Sequence, residues 1–299
     1  MSRTTDHPLR RAVICAIALS AALAALFTVT RPSLPWSDRT DAAAAQQVQA
    51  APGPVTFPLF GRKSGRLYDY EPKGTAPGFK SLVDMGGGWG DADALVQVNL
   101  SEGGAGNDLY HRSGTSLYYT AERGGDTRLI GGGWDQYSLL VSVGNMGGSS
   151  HPDLVARGTD GTLWLYQGRA DGTLAARVQI GTGGWNGMSA LAGRGDYTGD
   201  GKADLVARGT DGTLYIYPGT GNAVANAALG ARITVGTGWN IHKMIASAGD
   251  NDGDGRTDLI AADTAGLLWL FKGTGSPGAP FAPRVQIGTG GWAAFDTLF

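Results

Sequence analysis

Two stretches of this sequence carry carboxylates at a spacing suited to hard-cation chemistry. In Asp250-Asn251-Asp252-Gly253-Asp254-Gly255-Arg256-Thr257-Asp258, acidic side chains occupy positions 1, 3, 5 and 9, and Arg256 at position 7 contributes its backbone carbonyl. Oxygen donors at alternate places in a glycine-punctuated turn form the kind of cage that Ca2+ prefers. Asp196-Tyr197-Thr198-Gly199-Asp200-Gly201-Lys202-Ala203-Asp204 keeps this frame, with the Thr198 hydroxyl at position 3 and the Lys202 carbonyl at position 7. It has one charge fewer and is expected to bind more weakly. The bland alternative for both is an Asp-rich turn that caps itself through side-chain hydrogen bonds. The equivalent frame ending at Asp153 holds Asn145, Gly147, Ser149 and His151, too few carboxylates for a metal, and the frame ending at Asp108 is poorer still.

A second set has the chemistry of sugar recognition. Trp89, Trp134, Trp185, Trp239 and Trp292 each close a Gly-rich segment and recur roughly every 50 residues. An indole face packs on the C–H face of a pyranose, and polar neighbours bond its hydroxyls. Asp135, Asn186 and Asn240 follow three of these tryptophans directly and are the polar candidates. Each indole is equally well placed as a wedge between structural units. Arg112, Arg157 and Arg208, with Arg62 as an equivalent, read as donors to loop carbonyls, and Tyr68, Tyr118, Trp164, Tyr215 and Trp269 read as core.

The elements that must position these residues repeat with them. Asp-Leu pairs at Asp108, Asp153, Asp204 and Asp258 keep step with the tryptophans, as do turn glycines at Gly65, Gly114, Gly161, Gly212 and Gly266. Between Trp185 and Trp239 lie Met188–Ala192, Leu205–Arg208, Thr213–Tyr217 and Arg232–Val235, four short strands with a hairpin at Asp211-Gly212. Four strands in such a unit make one propeller blade. The first unit lacks its opening strand, and the segment from Ala293 to Phe299 supplies an extra one. The expected fold is therefore all-β: a five-bladed β-propeller of four-stranded blades, closed when the C-terminal strand completes the first blade. Closure removes the open edges that invite aggregation.

Composition agrees. The chain has 50 Gly in 299 residues, and 23 Asp against 3 Glu, which speaks against helical bundles and helix-rich enzymes. A net charge of -2 leaves no basic excess for nucleic acid. Arg10 and Arg11 precede the uncharged apolar run Ala12–Val29, so residues 1–50 read as a signal peptide and leader, and 51–299 as the propeller domain. The alternative is an uncleaved anchor. On the first reading the mature chain has no membrane span, loses its only cysteine, Cys15, and is secreted.

The unit from Asp196 through Arg208, and again from Asp250 through Ala261, resembles the FG-GAP/VCBS repeats, which are calcium-loop propeller repeats. The ending Gly290-Gly291-Trp292-Ala293-Ala294-Phe295 is similar to the tachylectin-2 type of five-bladed propeller lectin. The resemblance implies sugar sites within or between blades, favouring N-acetylated hexosamines. Tyr137, Met188 and His242 stand where Phe295 does in other units, a departure from that lectin pattern. The expected function is a secreted, multivalent lectin for cell-surface or cell-wall glycans, calcium-stabilised and not an enzyme. Rival readings are a protein-binding scaffold in a secreted adhesin or toxin assembly, and a polysaccharide-active enzyme. No acid/base pair or nucleophile motif stands out for the latter. Arg194-Gly195-Asp196 spells an adhesion tripeptide, but Asp196 opens a metal loop.

Overall fold

The computed structural model describes residues 55–299 apart from 75, 102–107 and 125–126, so the signal and leader expectation lies outside the described residues. Among the described residues, twenty strands form five four-stranded antiparallel sheets. Blade 1 contains β1 (Leu59–Lys63), β2 (Arg66–Tyr70) and β3 (Val83–Gly87). Blade 2 contains β4 (Ala94–Val98), β5 (Asp108–Ser113), β6 (Ser116–Thr120) and β7 (Thr127–Gly131). Blade 3 contains β8 (Tyr137–Gly144), β9 (Asp153–Gly158), β10 (Leu163–Gln167) and β11 (Val178–Gly181). Blade 4 contains β12 (Met188–Gly195), β13 (Asp204–Gly209), β14 (Leu214–Tyr217) and β15 (Ile233–Gly236). Blade 5 contains β16 (His242–Ala246), β17 (Leu259–Asp263), β18 (Leu268–Phe271) and β19 (Val285–Gly288).

The final strand, β20 (Thr297–Leu298), returns to blade 1 and gives the order β20-β1-β2-β3. Gly61 pairs with Leu298 and Arg62 with Thr297, and Phe60 and Phe299 exchange two backbone hydrogen bonds of 2.9 Å. The expected five-bladed ring and its manner of closure are what the structure shows.

Burial explains the sequence pattern of each strand. The second strands lie between neighbouring blades and are covered on both faces, so β13 is buried throughout and Asp-Leu-Val-Ala reads as an apolar run. The third strands alternate: Leu214 and Ile216 are buried, while Tyr215 and Tyr217 are half-buried. Hydrophobic clusters fill the spaces between blades. One joins Leu163, Leu165 and Ile180 of blade 3 to Leu191, Leu205 and Ala207 of blade 4 around Trp185.

Candidate functional site

Two of the repeated sequence marks meet at each junction between blades. The Trp89, Trp185, Trp239 and Trp292 N–H groups donate to the carbonyls of the hairpin glycines Gly65, Gly161, Gly212 and Gly266, and Trp134 N–H donates to Thr115 O. Four of these tryptophans open a one-turn 3-10 helix after a glycine in the left-handed region, such as Gly184 at φ 82°. Gly181 is also required sterically, because a Cβ there would lie 2.1 Å from Trp185 Nε1.

The indoles are wedges. Trp134, Trp185, Trp239 and Trp292 are buried, and each lies against an aromatic ring on the third strand of the next blade. Ring centroids are 4.9 Å apart for Trp134 and Tyr166, 4.8 Å for Trp185 and Tyr217, and 4.5 Å for both Trp239–Phe271 and Trp292–Tyr70. Thr120 stands at the matching place in blade 2. There Trp89 is half-buried and meets His111 edge-on at 5.5 Å. The four buried tryptophans among the rings read as sugar platforms thus each give a face to packing against the next blade. Asp135 is exposed on its turn. Asn186 and Asn240 are also exposed, but their amides donate to Thr159 O at 3.0 Å and Thr210 O at 3.3 Å, bracing the turn against the preceding hairpin.

The recurrent arginines hold the same turns. Arg157 Nη1 donates to Trp185 O at 3.4 Å and Met188 O at 2.6 Å, and Arg208 reaches Trp239 O at 3.4 Å and His242 O. Arg62 reaches Trp89 O and Ala92 O, and Arg112 reaches Trp134 O at 3.4 Å.

The mid-strand aromatics, expected as core, are half-buried instead. Arginines entering the fourth strand cover three of them: Arg177 lies 4.1 Å from the Trp164 ring centre, Arg232 4.6 Å from Tyr215 and Arg284 4.2 Å from Trp269. Tyr118 stacks on His111 at 4.9 Å. In blade 1, Leu82 replaces the arginine and is 50% exposed, and among the described residues no guanidinium lies over Tyr68. The result is a cleft of about 460 Å³ between blades 5 and 1, lined by Lys63, Tyr68, Tyr70, Leu82, the Gly288–Gly291 backbone, Trp292 and Phe295. Sequence reasoning missed Lys63, Tyr68 and Leu82 as site residues. The signal was the missing arginine before β3.

The acidic loops divide into ligand candidates and staples. Asp196, Asp200 and Asp204 bring carboxylate oxygens within 4.8 Å of one another, and so do Asp250, Asp252 and Asp254. Asp250 accepts backbone N–H bonds from Gly253, Asp254 and Gly255, and Asp196 does the same for Thr198, Gly199, Asp200 and Gly201. Thr198 Oγ1 lies 3.4 Å from Asp196 Oδ1. Lys202 Nζ is 3.7 Å from Asp200, and Lys272 Nζ 2.5 Å from Asp252 Oδ2. The side chain of Arg256 is not among these oxygens; its N–H donates to Asp254 Oδ1 at 2.9 Å.

Asp258 lies outside the second cluster. It is fully buried and accepts from Asn251 N at 3.0 Å and Gly273 N at 2.9 Å, so it ties the loop to the segment after β18. Asp204 does likewise with Tyr197 N and Gly219 N, both at 2.9 Å. Burial pushes their carboxyls up, to about 7 for Asp258 and about 6 for Asp204. Three close carboxylates in each loop supply hard oxygen donors, so the donor sets fit Ca2+. Asp250, Asp252 and Asp254, and Asp196, Asp200 and Asp204, are the residues that would hold it.

Residues 148–207 and 196–261 match the FG-GAP-like repeat family, and the chain carries FG-GAP-like repeats there. Among solved structures it is similar to a chain of a nidogen/laminin complex, with 11% identity over 82% of this chain and 97% of that one, at a TM-score of 0.44. It is also similar to the BP39L lectin from Burkholderia pseudomallei, with 17% identity over 67% of this chain and 57% of that one, at a TM-score of 0.43. Likenesses at this level say nothing of ligands. The comparison with curated proteins returns no match. No helix among the described residues is long and apolar enough to cross a membrane.

Proposed function

We propose that this propeller is a secreted carbohydrate-binding protein, not a catalyst, and that its sugar site is the cleft between blades 5 and 1. The observation that carries the reading is Tyr68: it is the one mid-strand aromatic in a described cleft from which both the covering arginine and a stacked histidine are missing. An aromatic ring beside the backbone groups of Gly288–Gly291 offers a pyranose an apolar face and hydrogen-bonding partners together. Exposed Leu82 suits the methyl of an N-acetyl group, which favours N-acetylhexosamines on cell-surface or cell-wall glycans. The arginine-covered blades make five equal sites a poor description, so the proposal is narrower than full multivalency. Ca2+ in the two acidic loops would supply charge neutralisation and pin the loops, a structural role.

A glycan array on the mature protein, repeated with Tyr68→Ala, tests the reading. Retention of N-acetylhexosamine glycans that the variant loses supports it. A second reading, a protein-binding scaffold, draws on the exposed Val83, Leu129 and Val285 of the outermost strands. An array without signal, with a protein captured instead, would favour that one.

A further inference from the structure

The interior of blade 4 contains a charge where three other blades have a hydrophobe. Arg194 stands at the same distance before Asp204 as Val98, Val143 and Ala248 stand before Asp108, Asp153 and Asp258. It is buried, and its backbone occupies the left-handed region at φ 81°, which a non-glycine residue adopts only under constraint. Its guanidinium donates to Gln97 Oε1 and to Gln97 O, and lies 4.8 Å from the ring centre of Phe57. Among the described residues no carboxylate forms an ion pair with it.

Arg194 also lines a cavity of about 350 Å³, within the roughly 300–1,000 Å³ range of small-molecule sites. Asn99, Asn145 and His151 contribute polar groups to the wall, and Phe57 and Leu100 contribute apolar surface. The Asn99 side-chain oxygen is buried without a hydrogen-bond partner. A cation lacking an anion and an acceptor lacking a donor thus share one cavity. The burial of Arg194 agrees with setting aside Arg194-Gly195-Asp196 as an adhesion tripeptide.

We propose that this cavity binds a small hydroxy-carboxylate, with its carboxylate at the Arg194 guanidinium and a hydroxyl donated to Asn99 Oδ1. Guanidinium presents N–H groups in a planar fork that matches a carboxylate, and the ligand would neutralise a charge that the protein leaves unpaired. The site is separate from the cleft at Tyr68 and does not rest on the glycan reading.

Calorimetry and thermal unfolding of the mature protein with D-glucuronate, lactate and neutral D-glucose test it. A saturable heat and a rise in Tm with glucuronate but not glucose are expected. Lactate acting as well would assign the site to simple hydroxy acids, and glucuronate acting alone would assign it to acidic sugars; both support the proposal. Arg194→Met should remain folded, because three blades carry apolar residues there, and should weaken glucuronate binding at least tenfold. Asn99→Leu keeps the cation and should lose several-fold in affinity, which keeps the test decisive if the methionine variant does not fold. Tyr68→Ala should leave the glucuronate response intact. No saturable response to either acid, or unchanged binding in Arg194→Met, would overturn the proposal.

Discussion

Lys243 donates from its ammonium to the carbonyl of Phe295 at 2.8 Å, and to that of Ala293 at the same distance. In the other blades an arginine on the second strand holds the corresponding turn. Ala262 occupies that place in blade 5, and the cation has moved to the first strand, where blades 3 and 4 carry Ser138 and Ser189. Both serines hydrogen-bond the arginine of their own blade at 2.9 Å. The junction therefore requires a cation more than it requires a particular residue.

Lys243→Ser should destabilise the ring by ~1–2 kcal/mol, since the turn carbonyls lose charged donors. Adding Ala262→Arg to it should restore most of that loss, because the pair then copies blade 4. Chemical denaturation of the single and double variants measures the coupling, and additive losses would refute the exchange.

His242 gives the fold a pH dependence. It is buried beneath Trp239 and Phe271, and burial, followed by the charges of Arg284 and Arg208, holds its pKa down at about 4. A histidine depressed in the folded state stays neutral there while the unfolded chain takes up a proton, so stability falls as pH drops from about 6.5 toward 4. Met188 fills the same place at Trp185 without a titratable group. Between pH 7 and 4.5, His242→Met should lose about 2 kcal/mol less stability than the parent. Equal losses in denaturation curves at the two pH values would contradict this.

Removing divalent metal with a chelator should lower Tm, and Ca2+ should restore it. Saturation at a hundredfold over Kd corresponds to about 2.7 kcal/mol. Asp252→Ala combined with Asp254→Ala should abolish the calcium response. Asp258→Asn should instead cost ~2 kcal/mol whether or not Ca2+ is present, because its oxygens bind backbone N–H groups. Calorimetric scans of the variants with chelator and with calcium separate ligand from staple.

Tyr68→Ala should reduce glycan retention at least fivefold with little change in Tm. Trp292→Ala should cost ~3–5 kcal/mol, as expected for an emptied aromatic site in a core. Circular dichroism run beside the glycan assay distinguishes a lost site from a lost fold.

The ring was legible because its marks are local. Gly65, Gly161, Gly212 and Gly266 announce hairpins through backbone conformation, and a run such as Leu205-Val206-Ala207 announces a doubly covered strand. The roles of the tryptophans were not legible, because residue type does not say which face of a junction a ring turns to. A cue did exist: Tyr70, Tyr166, Tyr217 and Phe271 each pair with the leucine near the start of the neighbouring second strand in four blades, and only Thr120 breaks the series. Likewise, the spacing of the acidic residues matched a calcium frame, yet it could not separate Asp258 from Asp254, since burial beside Gly273 is a tertiary fact.

The pairing of β20 with β1 also sets a schedule. β1 is synthesised more than 230 residues before Thr297. At ribosomal speed the interval is on the order of tens of seconds. Throughout it the edge of Leu59–Lys63 that faces β20 lacks that partner. The β20 of a second copy would offer the same pairing, and strand exchange of that kind yields linked pairs. Closure of blade 1 therefore waits for Thr297–Leu298, whatever the stability of the other four blades.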